Sequence, residues 1–220
     1  MLEGERFTYE ELWALKGVSF NIQQGESIGI IGENGSGKST LLKILARIIT
    51  PTKGTVEVNG KVAPLLELGV GFQPEMTVRD NITMYASILG LTNRDARKRT
   101  DSILEFAGLE RFRDAKLKHL SSGMQMRLGF SVAMEADPDV YLVDEGLAVG
   151  DLEFQRKCLD KFREFLQEKK SLVLVSHSLG LIEEFCHETI LLSRGEAIAT
   201  GDTAQVIREY TELHPASEAS

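Results

Sequence analysis

The stretch that most constrains this chain is residues 27–39, Ser-Ile-Gly-Ile-Ile-Gly-Glu-Asn-Gly-Ser-Gly-Lys-Ser. Ser27 to Ile31 is a short apolar run without polar alternation, the pattern of a strand buried on both faces. It enters Gly32–Ser39 directly, a Gly-x-x-x-x-Gly-Lys-Ser loop. Thr40 to Ile49 then carries Leu41, Leu42, Ile44, Leu45 and Ile48 at helical spacing, with Pro51 barring continuation. Strand, glycine loop, helix is the context in which this pattern binds the phosphates of a nucleoside triphosphate. Gly32, Gly35 and Gly37 let successive N–H groups converge on one anion, with the helix dipole behind them. Asn34, Ser36 and Thr40 belong to the same loop. Lys38 is expected to reach the β- and γ-phosphates, and Ser39 to offer its hydroxyl to Mg²⁺.

Further along, Val140-Tyr141-Leu142-Val143 is a second strand, ending on Asp144-Glu145. Ligands of open α/β sheets bind at the carboxyl ends of strands, so both carboxylates are expected at the nucleotide. Asp144 would hold Mg²⁺ and Glu145 would orient or deprotonate the attacking water. His177 closes the apolar run Leu172–Val175 and is expected near the γ-phosphate. Gln73 stands where strand texture gives way to helix. Its amide can contact both Mg²⁺ and the attacking water. Leu120-Ser121-Ser122-Gly123-Met124 precedes a helix and offers a second anion site without a lysine; a plain Ser121 helix cap is the bland alternative. A two-fold dimer reconciles the two glycine motifs, each ATP lying between the phosphate loop of one subunit and the Ser121/Gly123 turn of the other.

The remaining texture gives an α/β core holding a helical insert. Val18–Ile22 alternates as a strand, and Gly54–Pro64 is expected to form a hairpin around Asn59-Gly60. Helices are expected over Val78–Leu89, Arg94–Phe106, Met124–Glu135 and Leu152–Glu168, and a hairpin over Ile190–Thr200. The expected core is 1–73 with 137–211, the all-helical subdomain 74–136 and the tail 212–220. Across 220 residues, 25 basic and 33 acidic side chains give a net charge of −8. That balance argues against broad nucleic-acid binding, which needs a basic surface. Cys158 and Cys186 have no metal-ligand spacing and are expected to be reduced core thiols. No signal peptide is expected, and no run approaches the roughly 18 apolar residues of a membrane span.

With these motifs in order, the chain resembles the nucleotide-binding subunit of ABC transporters over nearly its whole length. The matching positions are Gly32–Ser39, Gln73, Leu120–Met124, Val140–Glu145, Asp151 and His177. The resemblance implies a P-loop NTPase with a RecA-like core, its ABC β-subdomain and the helical insert. It implies Mg²⁺-dependent ATP hydrolysis by a homodimer, with Asp151 in communication between subunits. An aromatic ahead of the phosphate loop would stack on adenine: Tyr9, with Phe7 and Trp13 as rivals. Two departures narrow the branch. The signature has Ser122-Gly123-Met124 where Gly-Gly-Gln is usual, and Gly146 with Leu-Ala-Val-Gly-Asp follows Asp144-Glu145. These, with Leu68-Gly69-Val70-Gly71-Phe72-Gln73, resemble ATPases exporting O-antigen, capsule or teichoic-acid polysaccharides. The implied partner is a polytopic membrane permease, the cargo a polysaccharide, and the location peripheral, at the cytoplasmic face of the cell (inner) membrane. The competing reading, a soluble ABC-type ATPase acting on DNA or ribosomes, lacks the long coiled-coil insertion or second cassette of those relatives. A P-loop kinase or GTPase leaves Leu120–Met124 and His177 unexplained, and an ABC ATPase for another substrate, such as an importer, fits the core motifs but less well the two variant motifs.

Overall fold

The computed structural model describes residues 11–66, 68–144 and 150–214. Its sheet is built around β1 (Ser27–Ile31), which lies between β4 (Ser171–Val175) and β5 (Glu188–Ser193) and runs parallel to both. Beyond β4 come β3 (Val140–Asp144) and β2 (Val62–Leu65), also parallel. β6 (Glu196–Asp202) closes the far edge antiparallel to β5.

The strands alternate between two apolar layers. Ile28, Ile30, Leu142, Val173 and Val175 pack with Leu41 and Leu42 of α1 (Lys38–Leu45). Ile31, Tyr141, Val143, Leu172 and Leu174 face the opposite way, onto α6 (Leu152–Gln167) and α7 (Leu179–Phe185), through Phe154, Phe162, Phe165 and Phe185. Tyr141 stacks on Phe165 with ring centroids 4.3 Å apart. α8 (Thr203–Leu213) packs on the same side through Val206. Parallel strands covered on both faces are the expected solution for runs as apolar as these.

Between β2 and β3 lie α2 (Val78–Ile88), α3 (Asn93–Lys98), α4 (Thr100–Ala107) and α5 (Ser122–Glu135). They share a core of their own, including Val78, Ile82, Tyr85, Ile103, Leu104 and Leu128. α5 serves both cores. Leu128 and Val132 face the helices, while Phe130, Ala133 and Met134 face the sheet layer. A helix apolar on most sides is one buried on most sides.

Four local expectations are corrected. Val18, Phe20 and Ile22 do alternate onto the core beside α1, but among the described residues their backbone has no ladder partner and forms no strand. The hairpin over Gly54–Pro64 is absent. Its second arm is instead captured by β3: the Lys61 N–H donates to Asp139 Oδ2 at 2.7 Å, and the Asp139 and Val140 N–H groups donate to the Lys61 carbonyl. The helix predicted to reach Ile49 ends at Leu45. Arg47 turns left-handed (φ 58°), and the Arg47 and Ile48 N–H groups return to the Ile44 and Lys43 carbonyls, closing a Schellman cap and leaving Ile48 exposed. The segment 94–106 is two helices. Thr100 Oγ1 donates to the Ala96 carbonyl at 3.0 Å, a back-bond that bends helices, and Arg99 caps both pieces.

Strand register sets the site. Ile30 of β1 and Asp144 of β3 both stand opposite Val175 of β4. The phosphate loop, Asp144 and the Ser176–His177 segment therefore leave the sheet at one end. With neighbouring strands about 4.8 Å apart, β1 and β3 lie about 10 Å apart there.

Candidate functional site

The phosphate loop is held open by glycine and closed by lysine. Gly32, Gly35 and Gly37 have φ of 145°, 79° and 108°. At Gly32 a Cβ would lie 2.1 Å from the Leu192 carbonyl oxygen, and at Gly37 2.7 Å from that of Ala14. Backbone from elsewhere braces the loop. The Gly195 N–H donates to the Ser36 carbonyl at 3.0 Å, and the Lys16 N–H donates to the Gly195 carbonyl at 2.7 Å. The turn between β5 and β6 and the segment 14–16 thus form the loop's outer wall. Lys38 opens α1 without leaving the loop. It is buried, and its ammonium donates to the carbonyls of Gly32 at 2.7 Å and Glu33 at 2.9 Å. Ser36 Oγ is also buried and has no hydrogen-bond partner among the described residues. A buried hydroxyl in that condition, beside converging N–H groups and an ammonium, suits an anionic guest.

The loop forms one wall of a cavity of about 610 Å³. Trp13, with Lys53 Nζ 4.9 Å from its ring centroid, and Arg194 also line it. Asn34, Ser39 and Thr40 line it as well. Tyr9 and Phe7 lie outside the described residues. Of the three aromatics weighed for adenine, Trp13 is the one seen here. The role of Arg194 was not foreseen. It sits at φ 49° in a hairpin turn 155 residues past Ser39, and no local signal linked it to the loop.

Asp144 ends β3 half-buried, and His177 stands exposed just beyond β4. Glu145 lies outside the described residues. The hydroxyl of Ser39 and the carboxylate of Asp144 are hard oxygen donors of the kind that hold Mg²⁺ with water and phosphate. Gln73 is exposed. Its side-chain amide donates to the Gly71 carbonyl at 3.3 Å, while its backbone is bound to Asn81.

The second glycine motif is elsewhere. Ser121 caps α5, its Oγ accepting from the Met124 N–H at 3.2 Å. Ser121 and Ser122 are exposed, and nothing lies within 4 Å of where a Gly123 Cβ would point. None of Ser121–Met124 lines the phosphate-loop cavity. Asp151 caps α6 by accepting from the Phe154 N–H at 2.9 Å, and pairs with Arg127 of α5 at 3.5 Å. The plain capping reading of Ser121 is therefore true as local structure, and its outward face is still available to a ligand.

A family model described as ABC transporter matches residues 15–148, which span the phosphate loop, Gln73, the Ser121 turn and Asp144. The chain belongs to the ABC transporter family. It is 44% identical over 206 residues to an O-antigen export system ATP-binding protein of Myxococcus xanthus, covering 94% of this chain and 47% of that one. It is 40% identical to a Klebsiella pneumoniae protein of the same description, covering 96% and 84%. A teichoic acids export ATP-binding protein of Lactococcus lactis is 43% identical, covering 93% and 44%. The chain thus spans about half the length of the Myxococcus and Lactococcus relatives. Among solved structures, a dimeric ATP-binding cassette in a post-hydrolysis state with ADP and phosphate is 26% identical with a TM-score of 0.76, covering 90% of this chain and 94% of that one. An ATP-binding subunit of an ABC transporter is 25% identical with a TM-score of 0.79. The α/β sheet described above is that of the P-loop ABC cassette fold.

Both cysteines are free and buried, and burial pushes each thiol up to about 12. They are packing residues in the apolar layer under the sheet, as the sequence led us to expect.

Proposed function

We propose that two copies of this cassette close around two Mg·ATP, hydrolyse them, and drive export of a cell-surface polysaccharide through a membrane-spanning partner. The observation that carries this reading is the separation of the two glycine motifs. The phosphate loop owns a cavity with none of the signature residues in its wall, while the Ser121–Met124 turn faces outward. A second copy brings the two together. The dimeric solved relative and the export descriptions of the sequence relatives support the assembly and the cargo class.

In this reading Gly32–Thr40 hold the phosphates, and Lys38 moves its ammonium from loop carbonyls to the β- and γ-phosphate oxygens. Mg²⁺, held by Ser39, Asp144 and Gln73, would neutralise charge developing on those oxygens. Glu145 takes a proton from the attacking water, whose oxygen bonds to the γ-phosphorus as the bond to the β–γ bridging oxygen breaks. His177 hydrogen-bonds the γ-phosphate from the end of β4. The partner's Ser121 and Gly123 complete the clamp, and Asp151 links the two sites. Residues 74–136 form the unit that moves against the permease. Among the described residues no helix is long and apolar enough to cross a membrane. In this reading the polysaccharide passes through the partner, and the cassette sits at its cytoplasmic face. The longest helix of the insert has 14 residues, too short for the coiled coil of a DNA-repair ATPase.

The test is Glu145→Gln. The variant is expected to bind ATP, to elute as a dimer only with ATP, and to lose nearly all hydrolysis. Normal turnover would remove Glu145 from its role, and a monomer with bound ATP would remove the shared site. Purification from native membranes should then recover a polytopic membrane protein, and recovery with ribosomes or nucleic acid would overturn the export reading.

A further inference from the structure

We infer that Asn81 is the positioning residue that makes Gln73 part of the helical layer rather than of the sheet core. This rests on the role proposed for Gln73 above. Asn81, on the first turn of α2, is fully buried. Its carboxamide uses both ends on one stretch of chain. Oδ1 accepts from the Gln73 N–H at 2.7 Å, and Nδ2 donates to the carbonyls of Gln73 at 3.0 Å, Thr77 at 2.9 Å and Met76 at 3.4 Å. A buried side chain that takes both backbone groups of a distant residue fixes that residue's main chain, because leaving either group unpaired is costly.

The two sides of Gln73 are held differently. Upstream, Gly69 and Gly71 are left-handed (φ 79° and 89°). The Phe72 N–H donates to the Gly69 carbonyl, the Gly69 backbone bonds the Tyr85 hydroxyl, the Gln73 amide donates to the Gly71 carbonyl, and Phe72 packs on Tyr85 with ring centroids 5.2 Å apart. With glycine at two of its positions, that side is the freer of the two to change its dihedrals. Downstream, residues 74–79 are tied by backbone bonds to 113–118: Lys118 to Pro74, Leu117 to Met76, Val78 to Ala115 and Arg79 to Arg113. The segment 113–118 leads directly to the Ser121 turn. Asn81 extends this brace by the residues needed to include Gln73. When the helical layer rotates, Gln73 travels with it, and the glycines absorb the difference. The side-chain amide then reaches or leaves the nucleotide according to the position of the insert.

The experiment is a double-mutant cycle on the full chain: Asn81→Ala, Gln73→Ala and both together. ATP affinity, turnover and melting temperature are measured for each. Asn81→Ala is expected to lower kcat roughly tenfold or more while leaving ATP affinity within about threefold. The double variant is expected to be no slower than Gln73→Ala alone, because Asn81 acts through Gln73. Asn81→Asp fills the same volume and keeps the acceptor for the Gln73 N–H, but turns an oxygen on three carbonyls. It should reproduce the kcat loss even if the alanine variant folds poorly. Unchanged kcat in a folded Asn81 variant, or multiplicative losses in the double variant, would overturn the inference. Normal turnover in Gln73→Ala would overturn it too, and that result would locate the failure in the role of Gln73 instead.

Discussion

Lys38 illustrates what this site does with single residues. Its ammonium is buried against two loop carbonyls, and it is the one strong cation the loop itself supplies to a polyphosphate. Charge-assisted bonds of this kind are worth enough that Lys38→Ala should weaken ATP binding about 10- to 100-fold, read by titration with a fluorescent ATP analogue. Unchanged affinity would sink the loop assignment. The glycines separate two costs. Gly32→Ala drives a Cβ to 2.1 Å from the Leu192 carbonyl at φ 145°, whereas the Cβ of Gly35→Ala at φ 79° meets nothing within 4 Å. The first suffers collision and backbone strain, and the second strain alone, about 1 kcal/mol. Thermal melts should place Gly32→Ala well below Gly35→Ala, and equal melting temperatures would mean that the close approach to β5 is relieved by a small shift.

At the scale of elements, the brace between 74–79 and 113–118 is fastened by charge as well as backbone. Glu75 accepts from Lys116 and Lys118, each at 2.9 Å. Hydrogen bonds and charge from these lysines hold its carboxyl at about 2, against an ordinary 4.5. The folded value is depressed, so the clamp acts fully above pH 4.5 and is lost as pH falls from there toward 2. All three side chains are well exposed, so the effect is small and salt-sensitive. Glu75→Gln should melt slightly below the parent at pH 7 in low salt, and the gap should shrink as pH drops through that window. A gap that stays constant with pH would show that the ion pair contributes nothing. What the sequence made legible at this scale follows from range. Strand, loop and α1 are contiguous, so their order was readable from residues 27–45. The end of α1 was not, because the stop is Arg47 turning left-handed where glycine is the usual signal. Nor was the break at Thr100, made by a hydroxyl that simple periodicity ignores, or the capture of 61–65 by a strand nearly 80 residues later. That Asp144 and the His177 segment leave the sheet at the same end as the loop was legible because each ends an apolar run. The brace by Gly195 and the place of Arg194 in the cavity wall were not, since both depend on where β5 turns.

For the whole molecule, the decisive question is whether a site belongs to one chain or two. If each ATP lies between the phosphate loop of one subunit and the Gly123 turn of the other, two different defects can complement. A Lys38→Ala chain keeps a sound signature turn, and a Gly123→Asp chain, with a carboxylate set against phosphate, keeps a sound loop. Each homodimer has two broken sites. Their heterodimer has one site with both defects and one with neither. Mixed in equal amounts, half of the dimers are heterodimers with one of two sites intact, so activity should return to as much as about a quarter of the parent level, from two preparations that are each inactive. Placing both substitutions in one chain and mixing it with the parent chain gives the opposite pattern, because each site of that heterodimer then carries one defect. Activity should fall below the linear mixing line. If the sites were built within single chains, the first mixture would stay inactive and the second would lie on the line. Because these outcomes differ in sign, the pair of mixtures decides the architecture without a structure of the dimer, and it does so whichever polysaccharide is carried.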